Sequence, residues 1–454
     1  MTSTINPRHA LMGVAIVAIL FRFDLAGAAN TAPPEHDGSN RAASHIAAEP
    51  EGELMLERAL VLALEYNAEL ASAAKGYGAS EAAVTQAGVL PNPVLSAASE
   101  NLGNTRLREG GDHARVIALS QLIELGGKRD ARVKLAEASR GLAAWDYQTM
   151  RADLILAVSI AFSDVLVAQQ GQALADESVT LARAFADAVS RRVAAGKTSP
   201  VEETKARVSL LSAGVEFDQA RRELAAARQR LSSLWNNPAP RFASAAGDLE
   251  RMIDLPRHEQ LLQRARGNPD LGRWEAEIAH RNAATDAAKA RSVPDLTVTG
   301  GLTRFSAFND TAFTIGIAIP IPLFDRNQGG TLEALRLREK TLEQKRAAEN
   351  KVYTELANTG QRLAAIRTQI ETLKSNILPG AQSALDATRK GYELGKFGFI
   401  DVLDAQRTLS QVRAQYLGAL AQHQRGVREI ERLIGDELGP ALPGDAPIPA
   451  GDEK

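Results

Sequence analysis

The 454-residue chain carries 53 basic and 55 acidic side chains, a net charge of −2, and so lacks the one-signed field that marks a nucleic-acid binder. With no cysteine it forms no disulfide, thiolate metal site, cysteine nucleophile or lipidated N-terminal Cys, and its soft ligands are 7 His and 5 Met. Aromatic residues make up only 5%, and abundant Ala favours closely packed helices over a thick globular core.

Arg8 precedes the apolar run Ala10 to Phe21 and the small residues Ala26-Gly27-Ala28-Ala29, the pattern of a cleaved secretory signal at 1–28. The run is too short to span a bilayer. Residues 29–52, with Pro, Ser and Gly, read as a linker. No uninterrupted run of eighteen apolar residues follows, so a chain that crosses a membrane here has to do so with strands.

The remainder says nearly the same thing twice. Asn67-Ala68-Glu69-Leu70 recurs as Asn268-Pro269-Asp270-Leu271, and Pro93 recurs as Pro294, with one offset (268 − 67 = 294 − 93 = 201). Gly196-Lys197 returns as Gly395-Lys396, Ala206 as Ala405 and Leu210 as Leu409, now offset by 199. Two units, 53–250 and 251–435, are therefore related by duplication, and 436–454 is a tail.

Each unit is expected to run helix, hairpin, long helix, turn, helix. The first hairpin, 91–125, holds strands Val94 to Glu100 and Arg115 to Ile123, which alternate less cleanly than those of the second. Proline is absent between Pro93 and Pro200, so Gly127 to Ala195 can form one helix reaching roughly 100 Å. Gly196-Lys197-Thr198-Ser199-Pro200 turns the chain, and Val201 to Trp235 runs back. The second hairpin, 294–324, begins with Leu296 to Thr303, whose period of two marks a strand with one wet face. Along Ala312 to Leu323, bulky Phe313, Ile315, Ile317, Ile319 and Ile321 alternate with small residues, as a lipid-facing barrel strand requires. Packing of the hairpins on the helices as an ordinary α+β core is the alternative. Gln328 to Tyr392 is the second long helix, kinked or interrupted at Pro379-Gly380, and Ile400 to Leu433 returns after the break at Gly395-Lys396-Phe397-Gly398.

This order, twice over, resembles the TolC-like outer-membrane factors, the exit ducts of tripartite efflux systems. The most specific stretch is Gly391-Tyr392-Glu393-Leu394-Gly395-Lys396 followed by Asp401-Val402-Leu403-Asp404-Ala405. Leu90-Pro91-Asn92-Pro93, Glu124-Leu125-Gly126-Gly127-Lys128-Arg129 and Pro322-Leu323-Phe324-Asp325-Arg326-Asn327-Gln328-Gly329 resemble the heavy-metal, CzcC-type branch. The resemblance implies a mainly α fold with a small β part, built as a trimer: four strands per chain close a twelve-stranded outer-membrane β-barrel, and the helices form a periplasmic tunnel. The implied partners are two further copies, outer-membrane lipid, a periplasmic adaptor and an inner-membrane RND-type pump, in a Gram-negative cell; the implied cargo is divalent metal cations.

Carried over by position, Asp401 and Asp404 match carboxylates of the periplasmic aperture, Tyr392 a gating tyrosine and Glu202 the first unit's acid. Gly196, Lys197, Gly395 and Lys396 are the tips expected to meet the adaptor. A solvated helix-start role for Asp401 is the bland alternative. Phe397 departs from the polar or basic residue many relatives carry, so the family's gating hydrogen bonds are not all expected here. The His residues lack HExxH or paired i, i+4 spacing, and no catalytic constellation, resident metal or cofactor is expected. A soluble periplasmic coiled-coil adaptor is the competing reading, which leaves the Phe313 to Ile321 face without a use.

Overall fold

The computed structural model describes residues 49–100, 114–305 and 309–438. The expected signal segment, the linker as far as residue 48 and the tail beyond residue 438 lie outside the described residues.

The first unit comprises β1 (Glu53–Met55), α1 (Leu56–Tyr66), α2 (Ala68–Ala87), β2 (Val94–Glu100), β3 (Ala114–Ile123), α3 (Lys128–Ala194) and α4 (Pro200–Ser233). After β4 (Ser244–Ala246), the second has α5 (His258–Arg264), α6 (Pro269–Ala290), β5 (Leu296–Phe305), β6 (Asp310–Ala318), α7 (Gln328–Thr372), α8 (Leu378–Glu393) and α9 (Phe399–Ile434). The 67 residues of α3 correspond to a rod of about 100 Å.

The duplication persists in side-chain detail. Asn67 Oδ1 accepts from Leu70 N while its Nδ2 donates to Leu234 O, and Asn268 Oδ1 accepts from Asp270 N while its Nδ2 donates to Leu433 O. Each Asn thus caps one helix and also binds the end of the returning helix of its own unit. This double use explains why Asn recurs where Ser or Asp alone would cap.

Before Pro379, α7 opens into a single π-turn, Leu373–Ile377, and α8 resumes at Leu378. The proline lacks the N–H that would continue the ladder, and the wider turn absorbs the mismatch. The Gly-Gly pairs play unequal parts. Gly126 and Gly127 both take φ +69 in the turn between β3 and α3, and a Cβ on Gly126 would meet Val293 Cβ at 2.6 Å. Gly329-Gly330 lie in the first turn of α7, and Asn327 supplies the left-handed residue at φ 53.

The two hairpins form one sheet in the order β2-β3-β5-β6, all antiparallel. The units join through the ten-residue ladder from Ala114↔Phe305 to Ile123↔Leu296. One expectation is corrected here. β6 ends at Ala318, so Ile319 and Ile321 lie beyond the strand, because Pro320 and Pro322 have no N–H to give a ladder.

Two features have no counterpart in the sequence reading. β1 pairs in parallel with β4, and Glu49, at the end of the expected linker, is buried. Its Oε1 accepts from Arg241 N at 2.8 Å and Phe242 N at 3.3 Å, its Oε2 from Trp235 Nε1 at 3.2 Å and from Asn237 Nδ2. Four donors replace the water this carboxylate gives up. The segment 247–257 then straps across the helices: Gln424 Nε2 donates to Leu249 O and Arg251 O, Glu250 pairs with Lys374 and Tyr416, and Asp254 pairs with Arg367.

Leu261, Leu271, Leu356, Leu363, Val427 and Ile430 form the core of the second unit. Between the units, Arg413–Glu177, Arg425–Asp164 and Arg432–Asp153 tie α9 to α3. One 18-residue window of α3 has mean hydropathy 1.7, enough by length and composition for a membrane span, with 39% of it buried. Its buried residues, Leu154, Val158, Phe162, Val165 and Leu166, are core: Phe162 and Leu166 pack under Gly247.

Candidate functional site

Strand register sorts the sheet into two unlike faces. Residues paired across strands project to the same side, so Leu95, Ile117, Leu302 and Phe313 share one face with Leu119, Val298, Ile315 and Ile317. That face is apolar almost throughout and uncovered, with Phe313, Ile315 and Ile317 63%, 70% and 69% exposed. The opposite face carries Ser96, Ala98, Ala118, Ser120, Thr297, Thr299, Thr303, Thr314 and Gly316, with Val94, Val116, Leu122 and Phe305 as its bulky apolar exceptions. Ser120 and Thr299 hydroxyls meet at 2.9 Å across β3 and β5. The pairing also assigns the first hairpin, whose alternation is weak by itself: its Leu95, Ile117, Leu119 and Ile123 extend the face set by β6.

At the far end of the rods the two tips are built alike. Lys197 N donates to Arg192 O and Gly196 N to Val193 O; Lys396 N donates to Gly391 O and Gly395 N to Tyr392 O. Both are Schellman closures, with the glycines at φ +67 and +71. Each glycine's added Cβ would meet nothing within 4 Å, so the requirement lies in the backbone angle.

Between the tips, Tyr392 is buried against Phe185 at 5.4 Å and Phe399 at 6.5 Å between ring centroids. The Arg192 guanidinium lies 4.6 Å from the Tyr392 ring centroid and donates to Tyr392 O at 2.9 Å. Burial pushes the Tyr392 phenol up, the Arg192 charge opposes, and nearby Glu202 reinforces the rise. Among the described residues the hydroxyl has no hydrogen-bond partner, and Glu202 Oε2 accepts instead from the Thr198 hydroxyl. Among the expected gating residues, then, Tyr392 and Glu202 are brought together. Asp401 and Asp404 stand apart on the exposed side of α9, where Asp401 Oδ2 accepts from Gly398 N at 2.7 Å and closes the first turn.

The sequence reading missed Arg192, Phe185 and Phe399. The repeat offset aligns Arg192 with Gly391 (391 − 199 = 192), where an added Cβ would lie 2.0 Å from the Phe397 ring. Phe397 thus packs over Gly391, and Arg192 takes the equivalent place in the first unit, crossing to the other hairpin. Among the described residues no group of three or more His, Cys, Asp or Glu could hold a metal ion.

A duplicated rod with paired tips at one end and a two-faced sheet at the other is matched by the Outer membrane efflux protein family, over residues 59–237 and again over 260–436. The chain belongs to the outer membrane efflux protein family. The family's two matched stretches coincide with the two units seen here. Among the relatives of this efflux protein, the cobalt-zinc-cadmium resistance protein CzcC of Cupriavidus metallidurans is 41% identical over 387 residues, 85% of this chain and 91% of CzcC. The nickel and cobalt resistance protein CnrC of the same organism is 27% identical over 291 residues, 64% of this chain and 68% of CnrC. In fold, the crystal structure of CusC matches with a TM-score of 0.72 at 18% identity, covering 84% of this chain and 92% of CusC. The outer membrane protein VceC of Vibrio cholerae matches with a TM-score of 0.70 at 17% identity, covering 85% and 97%. The protein is thus an outer-membrane efflux component, and the soluble-adaptor reading falls away.

Proposed function

We propose that three copies of this chain form the outer-membrane conduit of a tripartite RND-type efflux system that carries divalent heavy-metal cations out of a Gram-negative cell. The observation that carries the conduit is the single sheet with one apolar face and one small, hydroxyl-rich face, set on rods of about 100 Å. β2 and β6 are its edges, each with an unpaired row of backbone groups among the described residues. Four strands are too few to close a barrel, and copies joined edge to edge supply the rest; three give twelve. The cargo class rests on CzcC and CnrC, whose names specify cobalt, zinc, cadmium and nickel. The tips at Gly196-Lys197 and Gly395-Lys396 are the parts that reach an adaptor, and Tyr392, Glu202, Asp401 and Asp404 are placed to shape the aperture.

Expression in a strain lacking its cation-resistance channel tests the reading. Restored growth on cobalt, zinc or cadmium, with a heat-modifiable trimer in the outer-membrane fraction, is the expected result. Protein found only in the soluble periplasmic fraction would overturn it.

A further inference from the structure

At the rim of the sheet farthest from the helices, Arg115 on β3 and Arg304 on β5 are direct partners in the ladder. Both belong to the apolar face, since they share a side with Ile117 and Leu302 two residues away on each strand. Their own cross-strand partners are Ser99 on β2 and Thr311 on β6. The row across the sheet therefore reads Ser99, Arg115, Arg304, Thr311, a donor rim above a band that is apolar except for Gln121. Like charges directly opposite one another repel. Among the described residues neither arginine has an ion-pair partner, and Arg304 makes one neutral contact, from its Nη2 to Asn309 Oδ1 at 2.9 Å. Asp310 and Glu100, one residue further along, project to the other face by strand alternation. Among the described residues, then, the repulsion between two exposed guanidiniums is left uncompensated.

The height of the pair selects what neutralises it. From Ile123 to Arg115 the strand climbs eight residues, roughly 26 Å along its axis and about 20 Å above the lower rim at a barrel tilt of ~40°. An apolar band is about 25 Å tall, so the backbone of the pair lies about 5 Å short of its upper edge, and the long arginine side chains carry the two guanidiniums to where hydrocarbon gives way to headgroups on the side away from the periplasmic rods. We propose that Arg115 and Arg304 form a binding site for the phosphate of an anionic outer-leaflet lipid, the planar forks gripping phosphate oxygens and Ser99 and Thr311 flanking them. The proposal rests on the barrel reading above. Three copies would place three such sites around the rim.

The test uses full-length trimer reconstituted in phosphatidylcholine vesicles doped with a bis-phosphorylated glucosamine lipid, with bound lipid measured by titration and by native mass spectrometry after extraction. Wild type retains the phosphorylated lipid, the same lipid stripped of phosphate binds at least about tenfold more weakly, and R115Q with R304Q lowers affinity at least about tenfold through loss of charge-assisted hydrogen bonds. The single variants R115Q and R304Q fall between, and R336Q, on an exposed face of α7, changes nothing. Inorganic phosphate does not displace the lipid; displacement would replace the lipid site with a free-anion site and overturn the proposal. Insertion of wild type with equal retention by the double variant sinks this site alone, whereas failure of wild type to enter vesicles sinks the barrel reading and this site with it.

Discussion

Asp401 uses one carboxylate oxygen to close the first turn of α9, and that bond is compatible with a second task, because its other oxygen and the whole of Asp404 face outward. Three copies would bring six such carboxylates to one neck, where their fields add within about 8 Å at physiological salt. D401A with D404A is expected to lower cation over anion selectivity in planar-bilayer recordings, while substitution of Glu69, far from the tip, leaves it unchanged. Unaltered selectivity in the double variant would leave Asp401 as a helix cap and nothing more. His423 offers a different readout. It is 3% exposed, its Nδ1 has no hydrogen-bond partner among the described residues, and burial, then the nearby Arg367 charge, holds its pKa below the ordinary value. The unfolded chain therefore binds the proton first: stability is complete above the unfolded pKa of about 6.5 and falls as pH drops toward the folded value. Each unit of depression corresponds to about 1.4 kcal/mol. A melting temperature that declines between pH 7.5 and 5 in wild type should decline less in H423Q; parallel declines would assign the acid sensitivity to other groups.

At the scale of the element, β6 shows how a strand reads differently by itself and in its sheet. Its alternation of bulky and small residues identifies two faces, but only the ladder to β5, β3 and β2 gathers Leu95, Ile117, Leu119 and Leu302 onto the bulky one. I317D puts a carboxylate near the middle of that face, where a basic residue would cost about 2–4 kcal/mol and an acid somewhat less. T314D puts it on the small, hydroxyl-rich face. The first is expected to reduce the outer-membrane trimer on heat-modifiability gels and the second to leave it intact. Equal tolerance would remove the lipid-facing assignment. The π-turn before Pro379 is the helical counterpart: the proline is legible as an interruption, whereas its relief by one wide turn within a continuous rod, with Lys374 of that turn paired to Glu250 of the strap, is seen only in the folded chain.

For the whole molecule, the two tips lie at the extreme of rods too long to belong to a compact domain, and both end on glycines in the left-handed region. Replacing Gly196 and Gly395 together by leucine imposes a strained angle at each Schellman closure, at a cost of order 1–3 kcal/mol per site. The rods themselves are secured elsewhere, by the core around Leu356 and Ile430 and by the Arg413, Arg425 and Arg432 ion pairs. Trimers are therefore expected to persist in the outer membrane while cation resistance is lost. Retained resistance in this double variant would place adaptor docking away from the tips.

Periodicity, the spacing of prolines and the recurrence of short motifs were sufficient to read the duplication, the helix order, the strand positions and the tip glycines, because each depends on local backbone chemistry or on copying within the chain. Membership of the efflux family followed from the same stretches. Non-local geometry decided the rest. The β1–β4 pair, the burial of Glu49 and the strap over α7 and α9 join residues far apart in sequence, which no period announces. The end of β6 at Ala318 needed the ladder, since alternation continues through Ile321 although hydrogen bonding stops. Arg192 over Tyr392, and Arg115 opposite Arg304, arise where the two copied units meet, and a meeting of surfaces is a property of the folded chain that neither copy carries alone.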